Sequence, residues 1–569
     1  MRAVRMVLSL VVVALIQGAP PAIAQSSAPD VVLLGGKIIT VDQKNTVTEA
    51  IAIRNSRIVA MGSSANVRKL SGPRTQVIDL GGRTVVPGLI DSHIHAIRDA
   101  LYYKAKVDWS GVRNIEEALE SIRAAARQAS PGTWLVVIGA WHQNQLAERR
   151  PPTPQELDQA APNNPVYVQH QFDFAVLNRL GVQTLGITQA TVPTPVKVEV
   201  DNSGTPTGMI EAKGSGGAMA QLAARVIHPT MDQGVQSIPT YFHALNRQGI
   251  TGIIDQGDLN IEEYQALFNV WREGGLTLRV RYNLFSRRTG AELAHIQTLT
   301  QLIPPSWGDE WLRMLGLGEI SVWGMYDGSL NAADLTPSRE VKKSAMEFAA
   351  WTASRGYSLH VHASHEPMVR AYLDIFEDVN KTTPISALRW KITHGENMSD
   401  ESLRRMKALG MGFNVQDRMY FGGDDYLKGR GEAVARRSPP IMTATHLGLI
   451  VAAGTDATVV SPYSPFVSLR WLVTGRTLTG AATRSGEEIP SRLEALRMYT
   501  LNGAWMSFEE RDRGSLEMNK LADLVVLDRD YMTISSDDIA NIRPLMTMVG
   551  GEVVYAEAPF VRAKTRRTE

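Results

Sequence analysis

Short runs of alternating apolar and polar residues open and close this chain, and a strand-then-helix rhythm fills the middle. Near the start, the alternation predicts strands over 31–34, 37–40, 50–54, 57–61 and 77–79, with glycines and an Asn-Ser pair between them. Near the end it returns over 522–528 and 546–555, where Gly550-Gly551 marks a hairpin turn. With no helix between these strands, the two flanks predict one small β-sandwich built from both ends of the chain. The middle predicts eight strands, 85–95, 249–255, 277–284, 313–323, 357–362, 390–394, 411–416 and 449–456, separated by helical periodicity such as 338–355 and 401–409. Strands alternating with helices form a parallel sheet, and eight of them form a (β/α)8 TIM-type barrel, an α/β fold. The stretch 114–246 between the first two strands is too long for a plain loop, so it predicts an inserted subdomain near the barrel mouth. The expected division is 25–84 and 508–560 for the sandwich and 85–507 for the barrel with its insertion.

The 569 residues suit a barrel plus accessory domain. Lysine plus arginine (59) balances aspartate plus glutamate (58), so no overall field draws nucleic acid; a small-molecule substrate is the expected partner. Arg2 and Arg5 precede an apolar run from Met6 to Ile16, and Ala22-Ile23-Ala24 precedes Gln25. That order reads as a cleavable signal peptide over 1–24, cut after Ala24, and predicts a periplasmic or secreted protein. The apolar run is too short for a stable membrane anchor. Arg562, Lys564, Arg566 and Arg567 read as a solvated basic tail over 561–569. The absence of cysteine excludes thiol nucleophiles, iron–sulfur clusters and cysteine-ligated zinc.

The chemistry sits at predicted strand ends. His93 and His95 close the first strand two residues apart, so both imidazoles point to one side and can meet one ion. His360 and His362 close the fifth strand, His394 the sixth and Asp456 the eighth. Barrel enzymes work at that end of the strands. Imidazoles with a carboxylate suit zinc and would also accept iron, manganese or nickel. His362 is the expected ligand, with His360 behind it or touching substrate; Asp456 can touch metal and accept a proton from water. Trp141, Trp323, Tyr326, Tyr420 and Phe421 predict an aromatic pocket. Arg418 could pair a substrate carboxylate or face solvent, and the glycine- and charge-rich 417–440 reads as a mobile lid. No G-x-S-x-G, Walker A or G-x-G-x-x-G motif is present.

These segments together resemble the amidohydrolase superfamily, in its family-3 branch of N-substituted formamide deformylase-like proteins. The likeness runs through Val86-Pro87-Gly88-Leu89-Ile90-Asp91-Ser92-His93-Ile94-His95, Val107-Asp108-Trp109-Ser110-Gly111-Val112 and Pro154-Gln155-Glu156-Leu157-Asp158. It continues in Pro206-Thr207-Gly208-Met209-Ile210-Glu211, Gly249-Ile250-Thr251, Asp327-Gly328-Ser329, Tyr499-Thr500-Leu501-Asn502-Gly503-Ala504 and Leu521-Ala522-Asp523-Leu524-Val525-Val526-Leu527. The resemblance implies metal ligation by His93, His95, His362 and His394, a catalytic Asp456, and hydrolysis of a non-peptide C–N bond. The alternatives are a one-metal deaminase or cyclic-amide hydrolase of the same superfamily, and an inactive exported binding or regulatory protein on its scaffold. Three positions depart from the branch. Trp323 stands where a lysine, able to be carboxylated and bridge two metals, is usual. Asp173 before Asn178 replaces a histidine, and Ala363-Ser364-His365-Glu366 replaces Ala-Ile-Gly-Asp. Glu211 and Glu319 are the candidates for a substitute bridge. If strand 313–323 is regular, Glu319 lies about 13 Å deeper than Trp323, at roughly 3.3 Å per residue. That depth favours one divalent metal, zinc first, on His93, His95, His362 and Asp456, with His394 as ligand or water-orienting group.

Overall fold

The computed structural model describes residues 28–212, 215–257 and 261–561; the segment 1–24 expected to be a signal peptide and the basic residues from Arg562 onward lie outside them. None of the described helices is long and apolar enough to cross a membrane. The barrel strands are β1 (Leu89–Ile94), β2 (Ile250–Asp255), β3 (Arg279–Leu284), β4 (Leu312–Leu317), β5 (Ser358–His365), β6 (Lys391–Asn397), β7 (Gly412–Gln416) and β8 (Ile450–Gly454). They lie side by side in chain order, every neighbouring pair parallel. Fully buried Val361, Ile392, Phe413 and Val451 make β5 to β8 the continuous apolar strands that a sheet covered on both faces requires.

The ring closes where β8 meets β1. Asp456 donates its N–H to the His93 carbonyl at 2.8 Å, and the Asp91 carboxylate accepts from the Thr455 hydroxyl at 2.6 Å. Gly454 permits the approach, since a Cβ there would lie 2.4 Å from the His93 nitrogen.

Two of the expected strands end early. The first divides at Gly88: Thr84–Pro87 pairs with Lys37–Ile39 and with Leu524–Leu527, and only then does β1 enter the barrel. A Cβ at Gly88 would sit 2.2 Å from the Thr251 hydroxyl, so the crossing point tolerates no side chain. The fourth stops at Leu317; Gly318 has φ +111°, and a short 3-10 turn follows at Trp323–Met325.

The sandwich pairs a sheet of amino-terminal strands, Val31–Leu34, Ala50–Arg54, Arg57–Gly62 and Gln76–Asp79, with a six-stranded sheet drawn from both flanks. Val31, Leu33 and Ile53 from one flank share a buried core with Leu524, Val526 and Met546 from the other. Pro544–Val549 and Glu552–Ala556 form the expected hairpin, with Gly550 and Gly551 at φ +58° and +81°.

The insertion is a five-stranded sheet, Leu135–Ile138, Val166–His170, Phe174–Leu177, Lys197–Val200 and Pro206–Glu211, flanked by helices. Its first helix, Ile115–Gln128, starts where the Asn114 side chain accepts from the Glu117 N–H. It ends sooner than the expected 246, because helix Met231–Arg247 buries Ile238, Tyr241, Phe242 and Leu245 in the barrel's own core. Ala140 N–H donates to the Thr458 carbonyl, and the Gln171 amide to Val460 at 3.1 Å. The insertion therefore docks on the loop just after Asp456. The segment expected to be a lid folds as helices Arg418–Arg430 and Glu432–Ala435, with Met419, Tyr420, Phe421 and Tyr426 buried.

Candidate metal centre

The carboxyl ends of β1, β5, β6 and β8 bring His93, His95, His362, His394 and Asp456 together, each no more than 9% exposed. Glu319 joins them. Because β4 stops two residues before it, Glu319 stands at the mouth and not a dozen ångströms down the strand. Its Oε2 lies 3.0 Å from His93 Nε2 and 3.7 Å from His95 Nε2, while its Oε1 lies 3.0 Å from His362 Nδ1. Asp456 Oδ1 is 3.4 Å from His93 Nε2 and 3.3 Å from His95 Nε2. Two triads, His93–Glu319–His394 and His93–His95–Asp456, each offer ligand atoms within 4.8 Å of one another. His394 and Asp456 have φ +77° and +57°, which side-chain-bearing residues rarely adopt and which cluster at functional sites.

The ligand rings are held from behind. The Thr393 hydroxyl lies 3.0 Å from His93 Nδ1 and accepts from the Gln416 amide at 2.9 Å, leaving His93 Nε2 to face the carboxylates. His362 Nε2 lies 3.0 Å from the Gly328 carbonyl and 3.2 Å from Asp327 Oδ1, which turns Nδ1 toward Glu319. Asp327 Oδ2 is fixed by the N–H groups of Ser364 at 2.9 Å and His365 at 3.0 Å. The sequence offered Asp327 only as part of a family motif; this positioning role went unread.

Burial alone would push these imidazoles down. For His93 the Asp456 and Glu319 carboxylates outweigh it and lift it to about 9. For His362, Asp327 and Glu319 outweigh it and lift it to about 10. The same pairs hold Glu319 and Asp456 well below the ordinary carboxylate range despite their burial. His394, buried beside Arg418 and His362, is held well below the ordinary imidazole range.

The donors fit a divalent metal. His93 Nε2, Glu319 Oε2 and His394 Nδ1 are buried without a hydrogen bond. Ligands about 2.1 Å from a tetrahedral ion lie about 3.4 Å from each other. The contacts of 3.0, 3.3 and 3.4 Å from Glu319 and Asp456 to His93 and His95 have that spacing.

The remaining expected residues divide. Trp323, Tyr326 and Arg418 line a pocket of 1210 Å³, counting its open mouth, together with His95, His362 and Asp456. The insertion supplies its roof through Phe172 and Gly216. Trp323 is turned to the wall, its indole N–H donating to the Ser286 carbonyl at 2.9 Å. Arg418 does not face solvent: it is 6% exposed and paired with Glu396. His360 is sealed at 0%, its ring 5.4 Å from that of His93, so it lies behind His93 and does not line the pocket. Glu211 is exposed on the insertion's sheet opposite Phe174 and Lys197, and it is in neither of the two triads. Trp141 packs in the insertion's core, and Tyr420 and Phe421 in the barrel's.

The profile of an amidohydrolase family matches residues 76–555, most of the chain. The chain belongs to that family. It is 26% identical over 554 residues to the N-substituted formamide deformylase of Arthrobacter pascens, covering 92% of this chain and 98% of the relative. An uncharacterised metal-dependent hydrolase from Pyrococcus horikoshii has the same fold, with a TM-score of 0.67 and 21% identity over 89% of this chain and 99% of that one. Atrazine chlorohydrolase from Arthrobacter aurescens, solved as a mutant with zinc and atraton, has a TM-score of 0.50 and 17% identity, over 92% and 95% of the two chains. This amidohydrolase is an enzyme, a metal-dependent hydrolase of carbon–nitrogen bonds other than peptide bonds.

Proposed function

We propose that this amidohydrolase cleaves a small non-peptide amide, a formamide or simple N-acyl amine, and does so with two zinc ions that share Glu319. One observation carries the reading: the two oxygens of Glu319 face different histidines, each at 3.0 Å. A single carboxylate pointing both ways is what two mutually repelling cations need between them, and this supports two ions over one. His93, His95 and Asp456 would hold one ion, His362 and His394 the other, with Glu319 contributing to both. Zinc suits the imidazole-rich set, and the chlorohydrolase of the same fold was solved with it. Bound there, the metal supplies Lewis-acid polarisation and makes water acidic enough to give up a proton near neutral pH.

The chain's own residues supply the rest. Asp456, ionised and with Oδ1 facing His93 and His95, takes the proton of the attacking water. It returns that proton to the leaving nitrogen, so one amide and one water become a carboxylic acid and an amine. Trp323, Tyr326 and Phe285 give the pocket an apolar wall suited to the non-reacting half of the substrate.

Metal analysis of chelator-free protein should give two equivalents per chain, with turnover on formamides and N-acyl amines. Glu319→Gln should lose one equivalent and nearly all activity. One equivalent in the wild type, or two retained in Glu319→Gln, rejects the shared-carboxylate site.

A further inference from the structure

Arg418 occupies an unusual position for a charged side chain in a binding pocket. It lies two residues past the end of β7 and is 6% exposed, yet it lines the pocket beside Tyr326, His362 and Asp456. Three hydrogen bonds lock its guanidinium. Nε donates to Glu396 Oε1 at 2.6 Å, and Nη2 donates to Glu396 Oε2 at 2.8 Å and to the Ser364 hydroxyl at 2.7 Å. Ser364 lies two residues past His362 and Glu396 two past His394, so the anchor is built on the same strands as the metal ligands. Nη1 alone has no hydrogen-bond partner among the described residues, and it is not among the sealed orphan atoms.

We infer that Arg418 Nη1 donates to the carbonyl oxygen of the amide and holds it as negative charge gathers there, and that Arg418 is not a clamp for a substrate carboxylate. This rests on the amide-hydrolase reading above. The bidentate pair with Glu396 already answers the charge of the guanidinium, so a substrate carboxylate would bring a second anion to one buried cation. What remains on offer is direction: two N–H bonds on a guanidinium that is held in place and lines the pocket with His362 and Asp456. A donor fixed before the reaction needs no rearrangement when charge develops, which is where such groups have their largest effect.

The test uses metal-loaded protein and three variants: Arg418→Met, Arg418→Lys, and Arg418→Met/Glu396→Leu, which leaves no stranded carboxylate if the single variant folds poorly. Metal per chain is measured first, then kcat and KM on matched amides with and without a carboxylate, and calorimetric binding of methylphosphonate as a tetrahedral oxyanion mimic. Metal content should hold. Removing Arg418 should lower kcat about 100- to 1,000-fold on both kinds of amide, as loss of one such donor does, with KM within about threefold. Methylphosphonate binding should weaken at least tenfold, and Arg418→Lys should recover part of each loss. A loss confined to KM on carboxylate-bearing amides overturns the inference, as does unchanged kcat. If the wild type turns over no amide, the parent reading fails, and methylphosphonate still decides: binding weakened without Arg418 supports the donor, and binding unchanged or absent in the wild type rejects it.

Discussion

The floor of the barrel and its mouth each bury a cluster of charges, and the two are built on opposite terms. At the floor, Glu509 lies between Arg281 at 2.6 Å, Arg513 at 2.6 Å and Arg313 at 2.9 Å, while Arg279 forks onto Asp523 at 3.0 and 3.2 Å. Every carboxylate there meets a permanent cation. At the mouth, Glu319, Asp456 and Asp327 face imidazoles, which carry charge only when protonated. The floor is complete as protein. The mouth has a shortage of permanent positive charge that a bound divalent metal would fill. The two clusters differ in whether the partner of each carboxylate is charged conditionally, as an imidazole is, or permanently, as an arginine is.

The largest expected effect is at the mouth. His93→Ala/His95→Ala should lose bound metal and more than about 1,000-fold in kcat/KM, the several kcal/mol that metal assistance supplies. Unchanged metal content in that variant would break the contrast outright. At the floor, Glu509→Ala strands three arginines and should cost roughly 3–5 kcal/mol in chemical denaturation. Its kcat/KM per folded molecule should stay within about twofold; a large loss of turnover in fully folded protein would show that the floor is not merely architectural.

A third buried group sharpens the point. His142, in the insertion, has no carboxylate beside it, and burial followed by the neighbouring His170 pulls it down to about 3. His142 folds neutral, so the unfolded chain takes up its proton first as pH falls below about 6.5. Stability is full above that value and drains away between about 6.5 and 3. His142→Gln should flatten this acid limb, retaining a few kcal/mol at pH 4 in urea titrations; an identical limb in the variant would place the loss elsewhere. The smallest effect belongs to Glu211→Gln, which is exposed and outside both triads: metal content unchanged and stability within about 0.5 kcal/mol. Loss of an equivalent there would return Glu211 to the metal centre.

Most of the barrel was legible because fully buried parallel strands are continuous apolar runs, and their ends carry H-x-H, H-x-H, a lone histidine and an aspartate that stand out against them. Glu319 was misjudged because the two-residue period holds only in a regular strand. Gly318 was the overlooked sign: a Cβ there would lie 1.7 Å from the His360 carbonyl, so the backbone must leave the strand at that residue. The turn at Trp323–Met325 then places Trp323 on the wall and leaves the mouth to the carboxylate. Asp327 was illegible as a positioning group because its partner, His362, comes 35 residues later, and only the closed sheet brings them together. Tyr420 and Phe421 were assigned to the pocket from their place after a strand, but the helix they begin turns them into the core.

The crossing at Gly88 also sets an order of assembly. Thr84–Pro87, one residue before the strand that carries His93, pairs with Leu524–Leu527, whose first residue comes 437 positions after Pro87. At ribosomal speeds of about 5–20 residues per second, that edge waits roughly 20–90 s for its partner. For that interval the newborn strand presents unpaired backbone beside apolar Val85 and Val86, a template for joining another chain. Residues that a growing chain makes early here become native late, so His93 and His95 are synthesised early and framed late.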